Sequence, residues 1–224
     1  GLGDVYKRQG VGWYRTEFDV PQFQAGKRAT ILFDGAMSHA NVYINGQKVG
    51  YWPYGYNSFH FDITKYLKPG EKNTLAVRLE NLPESSRWYP GAGLYRNVHL
   101  IITEDAYIPV WGTYITTPSV NEKFAKVNVR TKVVLPEGAD PAKYSVETSV
   151  WNPNKQKLTA VRTSLAQMKY NNNQAEQEFV IQAPSLWSPE MPALYSAETR
   201  LYEGDKLKDI YTCLLYTSDA ADEL

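Results

Sequence analysis

Asn41-Val42-Tyr43-Ile44-Asn45-Gly46-Gln47-Lys48-Val49-Gly50-Tyr51-Trp52 reads as two strands joined by a two-residue turn. A type I′ turn needs positive φ at both central residues, and Asn-Gly tolerates that best. The hairpin Asn41–Ile44 and Gln47–Trp52 therefore sets an antiparallel frame, and the flanks extend it. Upstream, Arg28–Phe33 is nearly continuous in apolar residues, the pattern of a strand buried on both faces. Tyr14–Val20 alternates, with even positions apolar or neutral and odd ones charged. Downstream, Phe59, Phe61 and Ile63 alternate with Ser58, His60 and Asp62. Lys68-Pro69-Gly70 turns the chain, and Asn73–Glu80 alternates Leu75, Val77 and Leu79. Arg96–Thr103 puts Val98, Leu100 and Ile102 on one face. Period-2 strands punctuated by turns, without a convincing helix, predict an antiparallel sandwich.

Glu104–Pro109 reads as a connector, after which the pattern restarts. Val110–Thr117, Ala125–Leu135, Tyr144–Trp151, Leu158–Ala166, Gln174–Ile181, Leu194–Tyr202 and Lys206–Thr212 make about seven strands, the number of an immunoglobulin-like sandwich. Gly204-Asp205 turns the last hairpin, and the proline-rich Pro184–Pro192 is not a central strand. The one competing helix, Ser164–Tyr170, is short. The fold class is all-β, with two sandwiches in series over residues 10–104 and 105–212.

Composition excludes several functions. The 224 residues carry 24 basic and 24 acidic side chains, a net charge of zero, which argues against nucleic acid as a partner. Hydrophobic residues at 43% and charged residues at 21% allow a core. No apolar run approaches the roughly 20 residues of a membrane-spanning helix, so no membrane partner is expected. Aromatics reach 13%, with 17 Tyr and 6 Trp, which suits strands and sugar-stacking surfaces. Cys213 has no cysteine to pair with, and His39, His60 and His99 are too widely spaced for a metal signature. Neither a metal nor a cofactor is expected. Asp4–Gln9 and Leu214–Glu223 resemble translated sequencing-adapter sequence, so residues 1–9 and 213–224 are set aside as non-native ends. The cellular compartment stays open.

Several motifs, taken in order, resemble glycoside hydrolase family 2, which contains β-galactosidases and β-glucuronidases. They are Gly10-Val11-Gly12-Trp13-Tyr14-Arg15, Phe33-Asp34-Gly35, Val42-Tyr43-Ile44-Asn45-Gly46 and Asn57–Thr64. The most recognisable runs from Arg87-Trp88-Tyr89-Pro90-Gly91-Ala92 through Gly93-Leu94-Tyr95-Arg96-Asn97-Val98. Trp111-Gly112-Thr113-Tyr114 and Leu186-Trp187-Ser188-Pro189 resemble the family's second domain. The resemblance implies an N-terminal jelly-roll, called the sugar-binding domain, followed by an immunoglobulin-like sandwich. It also implies a retaining mechanism with two glutamates about 5–5.5 Å apart. Those glutamates belong to a (β/α)₈ barrel of about 250 residues, absent from this sequence. No catalytic residue is therefore assigned, and the chain alone is expected to be inactive.

The resemblance makes Arg87, Trp88 and Asn57 candidates for sugar contact, because jelly-roll loops of the family reach toward the barrel mouth. Arg87 offers a rigid fork of donors and Trp88 a flat face. The competing reading has Arg87 paired with Glu84 or a backbone carbonyl, and Trp88 and Tyr89 packed between the domain and the barrel. Tyr51–Tyr56 forms a second aromatic cluster, read mainly as packing on its own domain. The leading function is the non-catalytic N-terminal portion of a β-galactosidase. Its partners would be a β-galactoside or related glycan, the barrel, and further copies in a homo-oligomer. The alternatives are a free-standing carbohydrate-binding protein and a purely structural pair of sandwiches.

Overall fold

The computed structural model describes residues 10–22, 26–81, 92–167 and 174–216. The chain divides into two compact units, the first ending at Ile102 and the second beginning at Thr103.

In the first unit, β1 (Gly10–Asp19), β6 (Lys72–Asn81), β3 (Ala40–Ile44) and β4 (Gln47–Trp52) form one sheet, in that order. A second sheet is ordered β5 (Phe59–Asp62), β2 (Arg28–Phe33) and β7 (Val98–Thr103). Turn chemistry sets the β3–β4 hairpin, with φ of 50° at Asn45 and 81° at Gly46. The core between the sheets comes from alternate positions: Ala29, Ile31 and Phe33 of β2, Val42 and Ile44 of β3, and Leu75, Val77 and Leu79 of β6. Phe33 stacks on Phe59 at 4.8 Å, and full burial of such a side chain stabilises by about 1.5–3 kcal/mol. Gly50 lies so close to Phe61 that a Cβ would overlap the ring, so only glycine lets the sheets close here.

Two expectations change. Thr30 and Leu32 remain partly exposed, so β2 is fully buried on one face only, and among the described residues of this unit no layer covers its outer face. Similarly, β1 is an edge strand from which Phe18 alone packs on the core, with Tyr14 40% exposed despite its inward register.

In the second unit, β8 (Thr113–Val120), β9 (Phe124–Lys132) and β12 (Gln174–Gln182) form one sheet. The other is ordered β11 (Lys157–Ser164), β10 (Tyr144–Trp151), β13 (Leu194–Glu203) and β14 (Lys206–Tyr216). Strands one, two and five against the remaining four is an immunoglobulin-like arrangement. Its core has two clusters, one around Val133, Val146 and Leu201 and the other around Val127, Val150 and Phe179. Gln177 of β12 is 5% exposed, and its amide nitrogen lies within hydrogen-bond distance, 2.8–3.1 Å, of Val146 O, Val161 O and Thr163 Oγ1, sharing two N–H donors among them. One side chain thus stitches the two sheets.

The first strand begins at Thr113 rather than Val110, because Trp111 adopts φ 58° and Gly112 N donates to Pro109 O. The last strand runs past Thr212 to Tyr216, pairing Cys213–Tyr216 with Leu194–Ala197 and burying Leu215. Of the stretch Ser164–Tyr170, Ser164 ends β11, Leu165–Gln167 form a three-residue 3₁₀ turn, and residues 168–170 lie outside the described residues.

The segment that opens the second unit is pinned to β14. Ile108 N donates to Asp209 Oδ2 at 2.8 Å and Trp111 N to Tyr211 Oη at 3.3 Å. Lys208, whose side chain is 6% exposed, reaches Asp105 at 2.8 Å and Glu203 at 3.6 Å. The hydrogen bond from Lys208 holds the Asp105 carboxyl below its ordinary pKa, whereas burial pushes that of Asp209 up.

Candidate functional site

Three connections meet at one end of the first sandwich. They are residues 34–39 between β2 and β3, residues 53–58 between β4 and β5, and residues 92–97 before β7. Backbone bonds tie them together. Met37 and Gly93 exchange N–H···O bonds at 3.0 Å, Asp34 N donates to Asn97 O at 3.0 Å, and His39 N donates to Pro53 O at 3.1 Å. Side chains complete the weave: Tyr95 Oη donates to Gly55 O at 2.8 Å, Ser58 Oγ to Asp34 O at 3.1 Å, and Ser38 Oγ to Glu80 O at 2.9 Å.

Glycines make this density possible. A Cβ on Gly35 would sit 2.7 Å from Tyr95 Oη, and one on Gly55 would overlap Met37 Sδ. Gly93 has φ 109° and lies against the Tyr14 hydroxyl, so a side chain there meets both a backbone and a steric objection.

Beside this weave lies a cleft of about 490 Å³, lined by residues 10–14 of β1 with Met37, Leu79, Asn81, Ala92 and Gly93. Asn81 and Ala92, which flank residues 82–91 in sequence, both line it. Arg87 and Trp88 fall within that stretch, outside the described residues. Asn57 is exposed, next to the edge-on pair Tyr54 and Tyr56 with ring centroids 5.6 Å apart. The structure therefore places Asn57 on the loop cluster and Asn81 and Ala92 at the cleft.

The chemistry on offer is recognition. One carboxylate belongs to these segments, Asp34, which lies 2.8 Å from His99 Nε2; on the adjoining β6, Glu80 lies 3.1 Å from Arg78. His39 Nδ1 lies 2.6 Å from Tyr51 Oη. His60 is partly buried on β5, which lowers its pKa. Among the described residues no group of three or more His, Cys, Asp or Glu side chains is placed to hold a metal ion. Tyr14, Asn81 and Tyr95 were not singled out from the sequence. Tyr95 reaches Gly55, 40 residues away, and Tyr14 reaches Gly93, 79 residues away; the sequence signals at these positions were the Gly10–Arg15 and Gly93-Leu94-Tyr95 runs.

Comparison with known proteins agrees with this architecture. Residues 2–104 match the model of the glycosyl hydrolases family 2 sugar binding domain, and residues 107–214 match a glycosyl hydrolases family 2 domain. A β-galactosidase of Bacteroides ovatus is 39% identical over 95% of this chain and 25% of its own length. A putative β-glucuronidase of Formosa agariphila is 37% identical over 93% of the chain and 19% of its own length. The crystal structure of a family 2 member from Bacteroides cellulosilyticus superposes with a TM-score of 0.85 at 31% identity, covering 96% of this chain and 29% of that one. The chain thus spans about a quarter of the length of the curated relatives it matches. With both domain models matched in series and the two sandwiches they describe in place, the chain belongs to glycosyl hydrolase family 2.

Proposed function

We propose that this chain is the non-catalytic N-terminal portion of a retaining β-galactosidase, with a jelly-roll over residues 10–104 and an immunoglobulin-like domain over residues 105–212. The two domains buttress a (β/α)₈ barrel that carries the catalytic glutamates, and the jelly-roll loops complete the pocket for the terminal sugar. Coverage carries the reading. The chain fills nearly all of its match to a relative four times longer, leaving ample room for a barrel of about 250 residues. The loop cluster supports the second half of the proposal, since it sets exposed Asn57 at one end of the sandwich, beside the cleft lined by Asn81 and Ala92. Identity of 39% to a protein named β-galactosidase, against 37% to one named β-glucuronidase, supports the galactoside by a small margin.

The test uses the full-length enzyme with Trp88→Ala, Arg87→Ala and Asn57→Ala. The expected outcome is a fall in kcat/KM of about tenfold or more for Arg87→Ala and Trp88→Ala, because each loses about 1.4 kcal/mol or more of transition-state binding. Asn57→Ala is expected to have a smaller effect. Unchanged kinetics with a lowered thermal midpoint would assign these residues to packing instead. Parallel assays on nitrophenyl galactoside and glucuronide decide the sugar.

A further inference from the structure

We propose that the outer face of the β1-β6-β3-β4 sheet is a second carbohydrate site, a platform for a neutral β-linked oligosaccharide chain that adjoins the cleft and shares Trp13 with it. Strand pairing builds it. Trp13 lies opposite Arg78, Arg78 opposite Asn41, and Asn41 opposite Tyr51, so these four side chains form one row across all four strands. At about 4.8 Å between strands the row spans about 14 Å, the length of an oligosaccharide rather than of one sugar. Both end positions are aromatic and open to solvent, with Trp13 60% and Tyr51 45% exposed.

Each ring is held in place. Trp13 leans on Tyr43, one position along the same face, with centroids 5.6 Å apart. Tyr51 is hydrogen-bonded through its hydroxyl to His39. Lys48 Nζ is 5.9 Å from the Tyr51 centroid, at the outer limit of a cation–π contact, and does not close off the ring face.

Between the rings lies a hydrogen-bonding strip. Arg78 and Glu80 form a 3.1 Å ion pair with side chains 28% and 35% exposed, and Asn41 donates to His39 O at 3.2 Å. A guanidinium has five donors and a carboxylate about four acceptor sites, so both signs of hydrogen bond remain on offer. Their charges cancel, which disfavours polyanions. Flat apolar stations flanking an uncharged donor–acceptor strip complement equatorially substituted pyranoses, which present C–H faces and hydroxyl edges in alternation. The strip is continuous with the loop cluster, because Glu80 N donates to Ser38 O and His39 N to Pro53 O.

Isothermal titration and ¹⁵N NMR of the 224-residue chain with cellopentaose and xylopentaose, both built of equatorially linked pyranoses, test the site. Saturable binding of at least one is expected, with shifts at Trp13, Arg78 and Tyr51. Trp13→Ala should weaken it about tenfold and Trp13→Phe far less, both with near-wild-type thermal midpoints. The platform is overturned if neither sugar binds, or if binding survives Trp13→Ala and Tyr51→Ala. Binding lost in Asn57→Ala but kept in Tyr51→Ala would overturn it too, while placing the sugar at the loop cluster and leaving the pocket proposal intact. Self-association of the chain abolished by Trp13→Ala would identify the face as a dimer contact and equally overturn it.

Discussion

Asn73 shows how one polar residue can hold a sandwich corner together. It is fully buried at an inward position of β6, in register with Leu75, Val77 and Leu79. Its Nδ2 donates to Lys68 O and Glu71 O at 2.9 Å, and its Oδ1 accepts from Lys68 N at 2.8 Å and Asn45 Nδ2 at 2.7 Å. Asn45 in turn accepts from Thr74 N at 2.9 Å, so the hairpin turn and the 68–71 turn are one network. Asn73→Ala strands several buried groups at once and is expected to cost about 1–3 kcal/mol, read as a lower urea midpoint. Asn73→Asp should cost at least as much, because an oxygen then faces two carbonyls. An unchanged midpoint for either would contradict the network. Of this pair, Asn45 was legible because Asn-Gly dictates its own backbone. Asn73 was visible only as a polar residue in an apolar register, since its partners come from other segments.

Among the elements, alternation located strands well, but it said less about what covers them. The hairpin strands β3 and β4 match their expected bounds nearly residue for residue, and β10 runs Tyr144–Trp151 as read. The apolar run of β2 suggested two covered faces, yet covering depends on layers that no local pattern encodes. The attachment of residues 105–111 to β14 was equally hidden, because Asp105 meets Lys208 across a hundred residues. That pair has a pH signature. The Asp105 pKa is lowered from 3.8 in the folded chain, so the folded state binds fewer protons than the unfolded one near that value. Its contribution is complete above pH 3.8 and disappears as pH falls through the lowered value. Wild type should therefore be more stable than Asp105→Asn at pH 7 and 5, by about 0.2–1 kcal/mol for a part-exposed pair. The two should converge once acid has protonated Asp105, below its lowered pKa. A stability difference that persists undiminished in acid would assign the effect to something other than the ion pair.

For the whole molecule, two sandwiches in series and the family were legible, because turn spacing counts strands and several motifs recur in one order. Sheet order was not legible. β1 pairs with β6 from Gly10↔Asn81 to Asp19↔Lys72, and no local signal brings together strands separated by four others. The candidate site was half legible for the same reason. Asn57 and the Arg87–Trp88 motif stood out as residues, but the weave of Gly35, Met37, Gly55, Gly93 and Tyr95 is a product of topology. The central claim is that these domains recognise and support while bond cleavage resides in a barrel beyond them. Its most direct test assays the purified 224-residue chain beside the full-length enzyme on nitrophenyl β-galactoside and β-glucuronide. The account predicts turnover by the full-length enzyme and none above buffer by the chain. Hydrolysis by the chain alone at enzymatic rates, surviving repurification, would contradict it.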